Sequence, residues 1–492
     1  MGPGCLRGSS TEEASNDRGG KCPSNQPTRK GNRMRHHTAW DQLDLPTKLE
    51  RVKLRSQIDN NTVFNNLGHI IDTAMLKQCF DDLDGKKAVG TDGITKEKYA
   101  INLDKNLTEL LFKIRRGSYH PKASRIVEIP KVDGSTRPLA IACIEDKIVQ
   151  EAVRRILEAI FEPLFLDNSH GFRPSRGCDT ALVALNKLLR SYECGAVLDI
   201  DLKKYFNTIP HLPLENFLRE KISDEKFLRL ILKLMKAPTL DENGKESRNK
   251  LGVPQGSIVS PVLANLYLHK VIDLWFAEVN KEHFGGKAGL VRYADDGIFT
   301  FKNAKDAEVF QAMLKDRLSE SGIALNLDKT KIVACGQQEA IRCVAANLPS
   351  PGFTFLGFLH VWGKSVNRKT GKVFWRVKRR TCPKRFRKKL AEMKGDIAKH
   401  RHEKNLIPRI ITVVKGYLNY FAINDNARRV SQFLQEVKKM LFKYLNRRSQ
   451  KRSMNWQKFI SILNKLGFPR KITLKNLFFN LSSPAIKAGV GG

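Results

Sequence analysis

Apolar residues recur along this chain with two different spacings, and each spacing predicts a different kind of element. Where they return every third or fourth position, they line one face of a helix. Where apolar and polar residues alternate in short runs around a turn, they predict a β-hairpin. The helical spacing predicts helices over 103–116, 148–161, 180–189, 259–279, 407–421, 430–446 and 456–466.

Two hairpins follow from the alternating spacing. The first spans 125–139 with Asp133 and Gly134 at its turn, and the second spans 290–301, which reads LVRYADDGIFTF. Because hairpins recur between helices, a doubly wound parallel sheet is excluded. We predict an α+β fold in which an antiparallel sheet is backed by helices.

The composition changes near Pro351. Residues 353–359 form a β-like run that contains Gly357, and from Lys364 onward the chain is strongly basic and predicted to be mostly helical. The segment 1–45 is rich in Gly, Ser, Asn and cations, which is typical of a disordered arm. We therefore divide the chain into a basic arm (1–45), a mixed domain (46–360), a helical domain (361–480) and a tail (481–492).

The net charge limits the kinds of molecule that this protein is expected to bind. The 492 residues carry a formal charge of +37, which indicates a polyanionic partner, with nucleic acid as the default. No apolar run approaches the roughly 18 residues that a membrane span needs, so no membrane association is expected. Nine cysteines without a C-x-x-C pair favour free thiols in a reducing compartment.

The N-terminal arm (1–45) provides evidence on the cellular location of the protein. It has no apolar signal-peptide core, and Glu12, Glu13 and Asp17 argue against a transit peptide. We expect a cytoplasmic, nucleoid-associated protein in a bacterium, with an organelle as the open alternative.

The second hairpin places Asp295 and Asp296 at its tip. Alone, an Asp-Asp-Gly sequence most often forms a solvated turn. The pair becomes informative because a further strand carries Asp199 and Asp201 on one face, although either could be a hydrogen-bonded edge residue. Three carboxylates on adjoining strands can hold two divalent ions about 3.5–4 Å apart, and Mg²⁺ suits such oxygen ligands. We predict that Asp201, Asp295 and Asp296 bind two Mg²⁺ ions.

Polar residues elsewhere suit a nucleotide triphosphate. Lys131 and Arg137 flank the tip of the first hairpin, where they could be solvated surface cations or could bind phosphates. Gln255 follows Pro254 in a turn. This turn could simply separate two secondary-structure elements, or Gln255 could lie over a bound nucleotide. The bulky side chain of Phe206 would clash with a 2′-hydroxyl and so select deoxynucleotides. Together these residues indicate a template-directed polymerase that uses dNTPs.

The helical domain begins with a run of cations. A run of this kind is usually a solvated face, but here aromatic residues are interleaved with it, which favours RNA binding. The aromatic residues are Trp375, Phe386, Tyr417, Tyr420 and Tyr444. The cations predicted to bind RNA are Arg376, Lys378, Arg379, Arg380, Lys384, Arg385, Arg387, Lys388 and Lys389.

The order of these motifs from about residue 60 to 480 resembles the group II intron-encoded reverse transcriptase/maturase family. The motifs that carry the resemblance are Pro130-Lys131, Arg137-Pro138-Leu139, Gly171-Phe172-Arg173-Pro174, Asp199-Ile200-Asp201 through Phe206, Pro254-Gln255-Gly256, Tyr293-Ala294-Asp295-Asp296, Leu325-Asn326-Leu327-Asp328-Lys329-Thr330 and Phe355-Leu356-Gly357.

The resemblance implies a right-hand polymerase, with fingers and palm in 46–360 and a helical thumb/maturase domain in 361–480. It assigns metal binding to the three aspartates and nucleotide binding to Lys131, Arg137, Phe206 and Gln255. It places Lys329 where the family has a lysine associated with protonation of pyrophosphate, and it implies a primer grip at Phe355, Leu356 and Gly357. The implied partners are group II intron RNA, a DNA target or primer and dNTPs, and the implied roles are splicing and retrohoming of a mobile element. The oligomeric state is left open.

Two departures from the family and two rival functions accompany this interpretation. The cysteine- and histidine-bearing endonuclease motif of many relatives does not occur before Gly492, and Asn207 stands where an acid often follows the aromatic pair. One rival is an RNA-folding maturase that has lost polymerisation, against which the retained aspartates argue. The other is a reverse transcriptase recruited to phage defence or spacer acquisition, which the maturase-like region disfavours.

Overall fold

The structure is a computed structural model that describes residues 47–130, 136–191, 194–248, 250–366, 370–446 and 454–478. These residues belong to one compact unit that begins at Thr47. The predicted arm (1–45) and tail (481–492) lie outside the described residues, as does the tip of the first hairpin with Lys131.

Four helices open the described part of the chain, and local signals set their ends. Thr47 and Glu50 form a reciprocal capping box at the first helix, and Gly117 ends the fourth in a left-handed conformation (φ 72°). The helices are α1 (Lys48–Ile58), α2 (Thr73–Asp82), α3 (Lys96–Ala100) and α4 (Leu103–Arg116).

The first predicted hairpin follows, and a long helix supports it. Its strands are antiparallel, with Ile129 opposite Arg137. The long helix starts at Ile144, four residues before the predicted start, and its apolar residues are buried around most of its circumference. These elements and the next helix are β1 (Ser124–Pro130), β2 (Thr136–Ile141), α5 (Ile144–Phe161) and α6 (Cys178–Ser191).

The middle of the chain builds a four-stranded antiparallel sheet with strand order β6-β7-β3-β8. Its strands, and the elements between them, are β3 (Ala196–Ile200), α7 (Tyr205–Thr208), α8 (His211–Arg219), α9 (Glu225–Met235), β4 (Thr239–Leu240), β5 (Glu246–Ser247), α10 (Ser260–Leu268), α11 (Leu274–Phe284), β6 (Gly289–Tyr293), β7 (Asp296–Phe301), α12 (Ala304–Glu320), β8 (Lys331–Ala334) and α13 (Gln337–Ala345). A second sheet, ordered β2-β1-β4-β5, contains one parallel pair, β1 with β4. The predicted α+β class is confirmed, and one of the two sheets is mixed.

A third sheet precedes the C-terminal helices. Its strands are β9 (Gly352–Phe355), β10 (Phe358–Val366) and β11 (Val373–Thr381), and the helices are α14 (Pro383–Lys399), α15 (Leu406–Phe421), α16 (Ala427–Asn446) and α17 (Trp456–Lys465). The last three helices match their predicted ranges to within three residues at each end.

One prediction about these elements was wrong, that helix begins near Lys364, and two others differ from the structure in detail. The run 353–359 is two strands, because Leu356 and Gly357 take positive φ angles (48° and 80°) and reverse the chain. Residues from Lys364 to Thr381 are mostly strand, so helix begins only at Pro383. The predicted helix 259–279 contains a π-helical turn at His269–Asp273 and continues to Phe284.

The apolar residues form separate clusters. The largest lies under the central sheet and helices α5 and α10, with Phe299 and Phe310 fully buried. A second joins the C-terminal helices around Ile410, Phe433 and Phe459. Across the part of the chain that the structure describes, no helix combines the length and hydropathy needed to cross a membrane.

Candidate active site

A two-residue turn between β6 and β7 presents the paired aspartates. Tyr293 lies opposite Asp296 in the ladder, which leaves Ala294 and Asp295 as the turn. Ala294 has φ 57°, a conformation that favours glycine, so the surrounding structure holds the turn in place. The predicted hairpin is therefore present, with its carboxylates at the tip.

The third carboxylate arrives from the neighbouring strand. Strand β3 runs antiparallel to β7 with Ile200 opposite Gly297, so Asp201 emerges from β3 beside the turn. Burial raises the pKa of Asp295 and Asp296, and the charge of Asp201 adds to both shifts. The structure thus brings together the three residues that the sequence singled out.

Burial and the neighbouring negative charges raise the pKa of both Asp295 and Asp296. Asp296 reaches solvent at the mouth of the site, yet the protein around it raises its pKa to about 6, and the charges of Asp295 and Asp201 add to the shift. Burial also raises the pKa of Asp295, which the Arg137 cation opposes. Asp199 is a fourth member of the cluster, because burial and the charges of Asp296 and Asp201 raise its pKa to about 7. A bound cation would relieve this repulsion.

Asn326 holds Asp201 in place. Its Nδ2 donates to Asp201 Oδ2 at 2.7 Å, and its backbone N–H donates to the Asp201 carbonyl at 2.8 Å. Among the described residues, no group of three or more His, Cys, Asp or Glu side chains has the geometry of a metal site. The donors are nevertheless of the right chemistry, since Mg²⁺ prefers carboxylate oxygens and a cation would offset the repulsion among them.

A buried arginine supports the turn from below. Arg292 is 1% exposed, and its Nε donates to Asp273 at 2.8 Å. Its Nη1 donates to the Ala294 carbonyl at 3.0 Å and to Asn265 Oδ1 at 2.9 Å. Asp273 closes the π-helical turn, so that irregularity places a carboxylate under the site. Arg292 therefore ties the Ala294–Asp295 turn to the helix behind it.

The segment before α6 also packs against the turn. Asn265 Nδ2 donates to the Gly171 carbonyl at 2.7 Å. A Cβ added at Gly171 would lie 2.4 Å from the Ala294 nitrogen, so only glycine allows this approach. The motif beginning at Gly171 thus supports the Ala294–Asp295 turn, a role that the sequence did not reveal.

Of the four predicted nucleotide-binding residues, the structure describes Arg137, Phe206 and Gln255, and Lys131 lies outside the described residues. Arg137 is exposed on β2 and interacts electrostatically with Asp295 and Asp296. Gln255 Nε2 donates to Asn207 Oδ1 at 2.7 Å, so Asn207 takes part in holding Gln255. Phe206 is half-buried, with its ring edge-on to Tyr205 at 5.6 Å.

Lys329 and the predicted primer grip lie on turns. Lys329 is exposed, and its backbone N–H donates to the Asn326 carbonyl at 3.1 Å. Phe355 ends β9, and Leu356 and Gly357 form the turn into β10. Tyr420 on α15 donates its hydroxyl to the Leu356 carbonyl at 2.8 Å, which fastens this turn to the C-terminal helices.

The nine cations predicted to bind RNA differ in how exposed their side chains are. Arg379 is 1% exposed and bonds to Asp425 and Asn186, so it is a structural residue and does not face RNA. Arg376 also pairs with Asp425, at 2.6 Å. Lys378 bonds to the Lys364 carbonyl, and Lys388 and Lys389 lie near Glu392. The exposed members are Arg380, Lys384, Arg385 and Arg387.

The prediction that aromatic residues interleaved with those cations face RNA was wrong for two of them. Phe386 and Tyr417 are buried in the helical core, where they pack on Phe433, so they are not platforms for bases. Sequence could not separate them from surface aromatics, because a cationic helix still needs an apolar face toward its neighbours.

Comparison with known proteins points to one family. The family described as reverse transcriptase (RNA-dependent DNA polymerase) matches residues 129–360. The group II intron-encoded protein LtrA of Lactococcus lactis subsp. cremoris is 36% identical over 228 residues, which is 45% of this chain and 37% of that protein. A putative COX1/OXI3 intron 2 protein of Saccharomyces cerevisiae is 37% identical over 207 residues, 41% of this chain and 23% of that protein.

A further relative is covered more completely. Protein YkfC of Escherichia coli is 32% identical over 280 residues, which is 50% of this chain and 73% of that protein. In contrast, the chain spans well under half the length of the two intron-encoded relatives.

Proposed function

This chain belongs to the group II intron-encoded reverse transcriptase/maturase family, and on that premise we propose that it is an RNA-directed DNA polymerase that also acts as a maturase. The convergence of Asp201, Asp295 and Asp296 at one end of the central sheet is the observation that carries the polymerase function. We assign the fingers and palm to 46–360 and the thumb/maturase domain to 361–480.

The reaction is the attack of a primer 3′-hydroxyl on the α-phosphate of a dNTP. Polymerases of this family generally use divalent metal ions, and Asp201, Asp295 and Asp296 would hold two Mg²⁺ ions. When bound, the ions would lower the pKa of the 3′-hydroxyl and stabilise the departing pyrophosphate.

The chain's own residues position and neutralise the substrates. Arg137, whose charge acts on Asp295 and Asp296, would form a bidentate contact with the triphosphate and offset its charge, together with Lys131. Gln255, held by Asn207, and Phe206 would bound the sugar and select a deoxynucleotide. Lys329 lies where the family resemblance implies a proton donor to pyrophosphate.

The maturase function rests on different residues. Arg380, Lys384, Arg385 and Arg387 lie exposed at the end of β11 and the start of α14, where they could contact RNA phosphates. We assign the group II intron RNA as the ligand of this surface, and splicing as its outcome.

Primer extension on an RNA template with dNTPs and Mg²⁺ tests the polymerase function. We expect Asp295→Asn/Asp296→Asn to lower the rate of primer extension by about 10²–10³-fold. Other enzymes lose activity by this factor when a group that stabilises the charge of the transition state is removed. Asp316→Asn, on the exposed face of α12, is the matched control and should leave the rate unchanged. Normal synthesis by the double variant would rule out this site.

Splicing of an intron RNA by the same proteins separates the two functions. We expect the double aspartate variant to retain splicing, while Lys384→Glu/Arg387→Glu should reduce it. Arg385 is left unchanged because its charge also acts on Asp296. If the wild-type chain splices but never extends a primer, the polymerase function is wrong and the maturase function stands alone.

A further inference from the structure

A large groove lies at the end of the central sheet opposite the aspartates. Its volume is about 1430 Å³, and its lining includes Gly195 before β3, Lys302 after β7 and Gly336 after β8. Asp201, in contrast, follows the other end of β3, and a strand of five residues spans about 16 Å. This back groove is therefore separate from the polymerase site, and the hairpin β10–β11 forms its far wall.

Among the residues that the structure describes, two buried donors in the lining have no acceptor. Asn186 is 4% exposed and leaves its Nδ2 without a hydrogen-bond partner. Arg379 is 1% exposed and leaves its Nε unpaired. Both atoms are buried behind the groove surface, so Asn186 and Arg379 form its structural wall, and a ligand would meet the exposed side chains in front of them.

The groove has an excess of positive charge. It is lined by five cations and only two acids, Glu339 and Asp425. Glu339 pairs with Arg342 at 2.7 Å, and Asp425 is shared between Arg376 and Arg379. Arg190 and Lys302 are exposed, and neither has an acidic partner among the described residues. An anionic ligand would therefore meet two uncompensated cations.

Aromatic side chains complete the wall. Phe374 is 43% exposed although it is a large apolar residue, and Trp375 beside it has the Lys364 ammonium 5.7 Å from its ring. Aromatic faces next to unpaired cations are what single-stranded nucleic acid requires, because bases stack while phosphates bind the cations. An acidic protein segment would satisfy the charge but would leave Phe374 without a stacking partner.

We propose that the back groove binds single-stranded RNA that is not the template. This inference rests on the proposed function and extends it, since it assigns a second RNA site at the end of the sheet remote from the aspartates. A protein with such a site could hold a flanking RNA strand while the polymerase site is filled.

Binding to a protein whose template channel is already filled tests the groove. The protein is saturated with an RNA–DNA template–primer duplex, and a short fluorescein-labelled oligouridylate is then titrated by fluorescence anisotropy. We expect Arg190→Glu/Lys302→Glu to weaken binding and to reduce the slope of log K against log [KCl] by about 1.4, the value for two lost phosphate contacts on a single strand. Phe374→Ala should weaken binding about tenfold, the loss of one stacked base.

The control has the same change in net charge. Lys281→Glu/Lys315→Glu replaces exposed lysines on α11 and α12, outside the groove lining, and should leave oligouridylate binding within error of wild type. Primer extension by all variants should remain at the wild-type rate, which shows that they fold. An equal effect of both charge reversals would overturn the proposal, as would displacement of the oligouridylate by an oligoglutamate peptide at equal concentration. Loss of primer extension in the wild type would instead count against the proposed function.

Discussion

At the residue scale, the aspartate cluster should link protonation to the proposed metal binding. The folded protein raises the pKa of Asp296 from 3.8 to about 6, mainly by burial. Folding therefore favours the protonated form of Asp296. The contribution of this group to the free energy of unfolding is lost as the pH rises from 3.8 through about 6. Asp199, with its pKa raised to about 7, extends the loss to higher pH.

We therefore expect the stability of the metal-free wild type, measured relative to Asp296→Asn, to fall as the pH increases over this range, and Mg²⁺ to reverse the fall because it binds the ionised carboxylates. Thermal unfolding across a pH series, with EDTA or with Mg²⁺, measures this. Asp296→Asn should flatten the EDTA curve. Identical curves in EDTA and Mg²⁺ would show that the cluster binds no cation.

Arg292 gives a second residue-scale prediction. Arg292→Met leaves Asp273 buried without its cation, and we expect the free energy of unfolding to fall by about 3–5 kcal/mol. Arg292→Met/Asp273→Leu removes both charges, so stability should largely return. Primer extension should stay low in the double variant, because the Ala294 carbonyl has lost its donor. Recovery of full activity together with stability would show that Arg292 only stabilises the fold.

At the element scale, the turn between β9 and β10 connects the sheet to the C-terminal helices. The Tyr420 hydroxyl donates to the Leu356 carbonyl, and the Cys382 N–H donates to the Gly357 carbonyl at 2.9 Å. Both contacts cross from the predicted primer grip to the elements that follow it. The position of the grip therefore depends on α15 as well as on its own strands.

Tyr420→Phe should lower the free energy of unfolding by about 1 kcal/mol, the usual cost of one hydrogen bond. Denaturant unfolding measures the change. Tyr444→Phe is a suitable control, because the described residues include no hydrogen-bond partner for the Tyr444 hydroxyl and the ring is similarly half-buried. Equal losses in the two variants would mean that the Tyr420 bond contributes nothing specific.

Helices with a strongly periodic pattern of apolar residues were predictable from the sequence. Features that depend on the backbone conformation of a single turn were not. Helices α15, α16 and α17 follow from apolar spacing, because each buries one face. The reversal at Leu356 was missed, since a leucine with φ 48° has no signal in the sequence. The π-helical turn before Leu274 was missed for the same reason: it depends on packing around Asp273, not on local propensity.

At the scale of the whole molecule, the charge of +37 should dominate affinity for RNA. A protein that makes 6–10 phosphate contacts loses about 10³–10⁵ in affinity between 50 and 200 mM salt. We expect a loss of this order for intron RNA, measured by filter binding in a KCl series. Asp295→Asn/Asp296→Asn should keep nearly the same slope, because the double variant removes no cation that contacts a phosphate. A flat salt dependence would contradict electrostatic RNA binding.

The sequence by itself determined the chemistry of this protein: the fold class, the three aspartates, the cationic surface and the family. These follow from residue type, period and order, which are properties of the chain alone. Tertiary structure alone decided which polar residues serve the site and which serve the fold. It buried Arg379 beside Asp425, placed Arg292 and Asn326 behind the aspartates, and opened a second cationic groove at the far end of the sheet. The reason is physical, because burial and the pairing of charges depend on segments far apart in the chain that meet only when it folds.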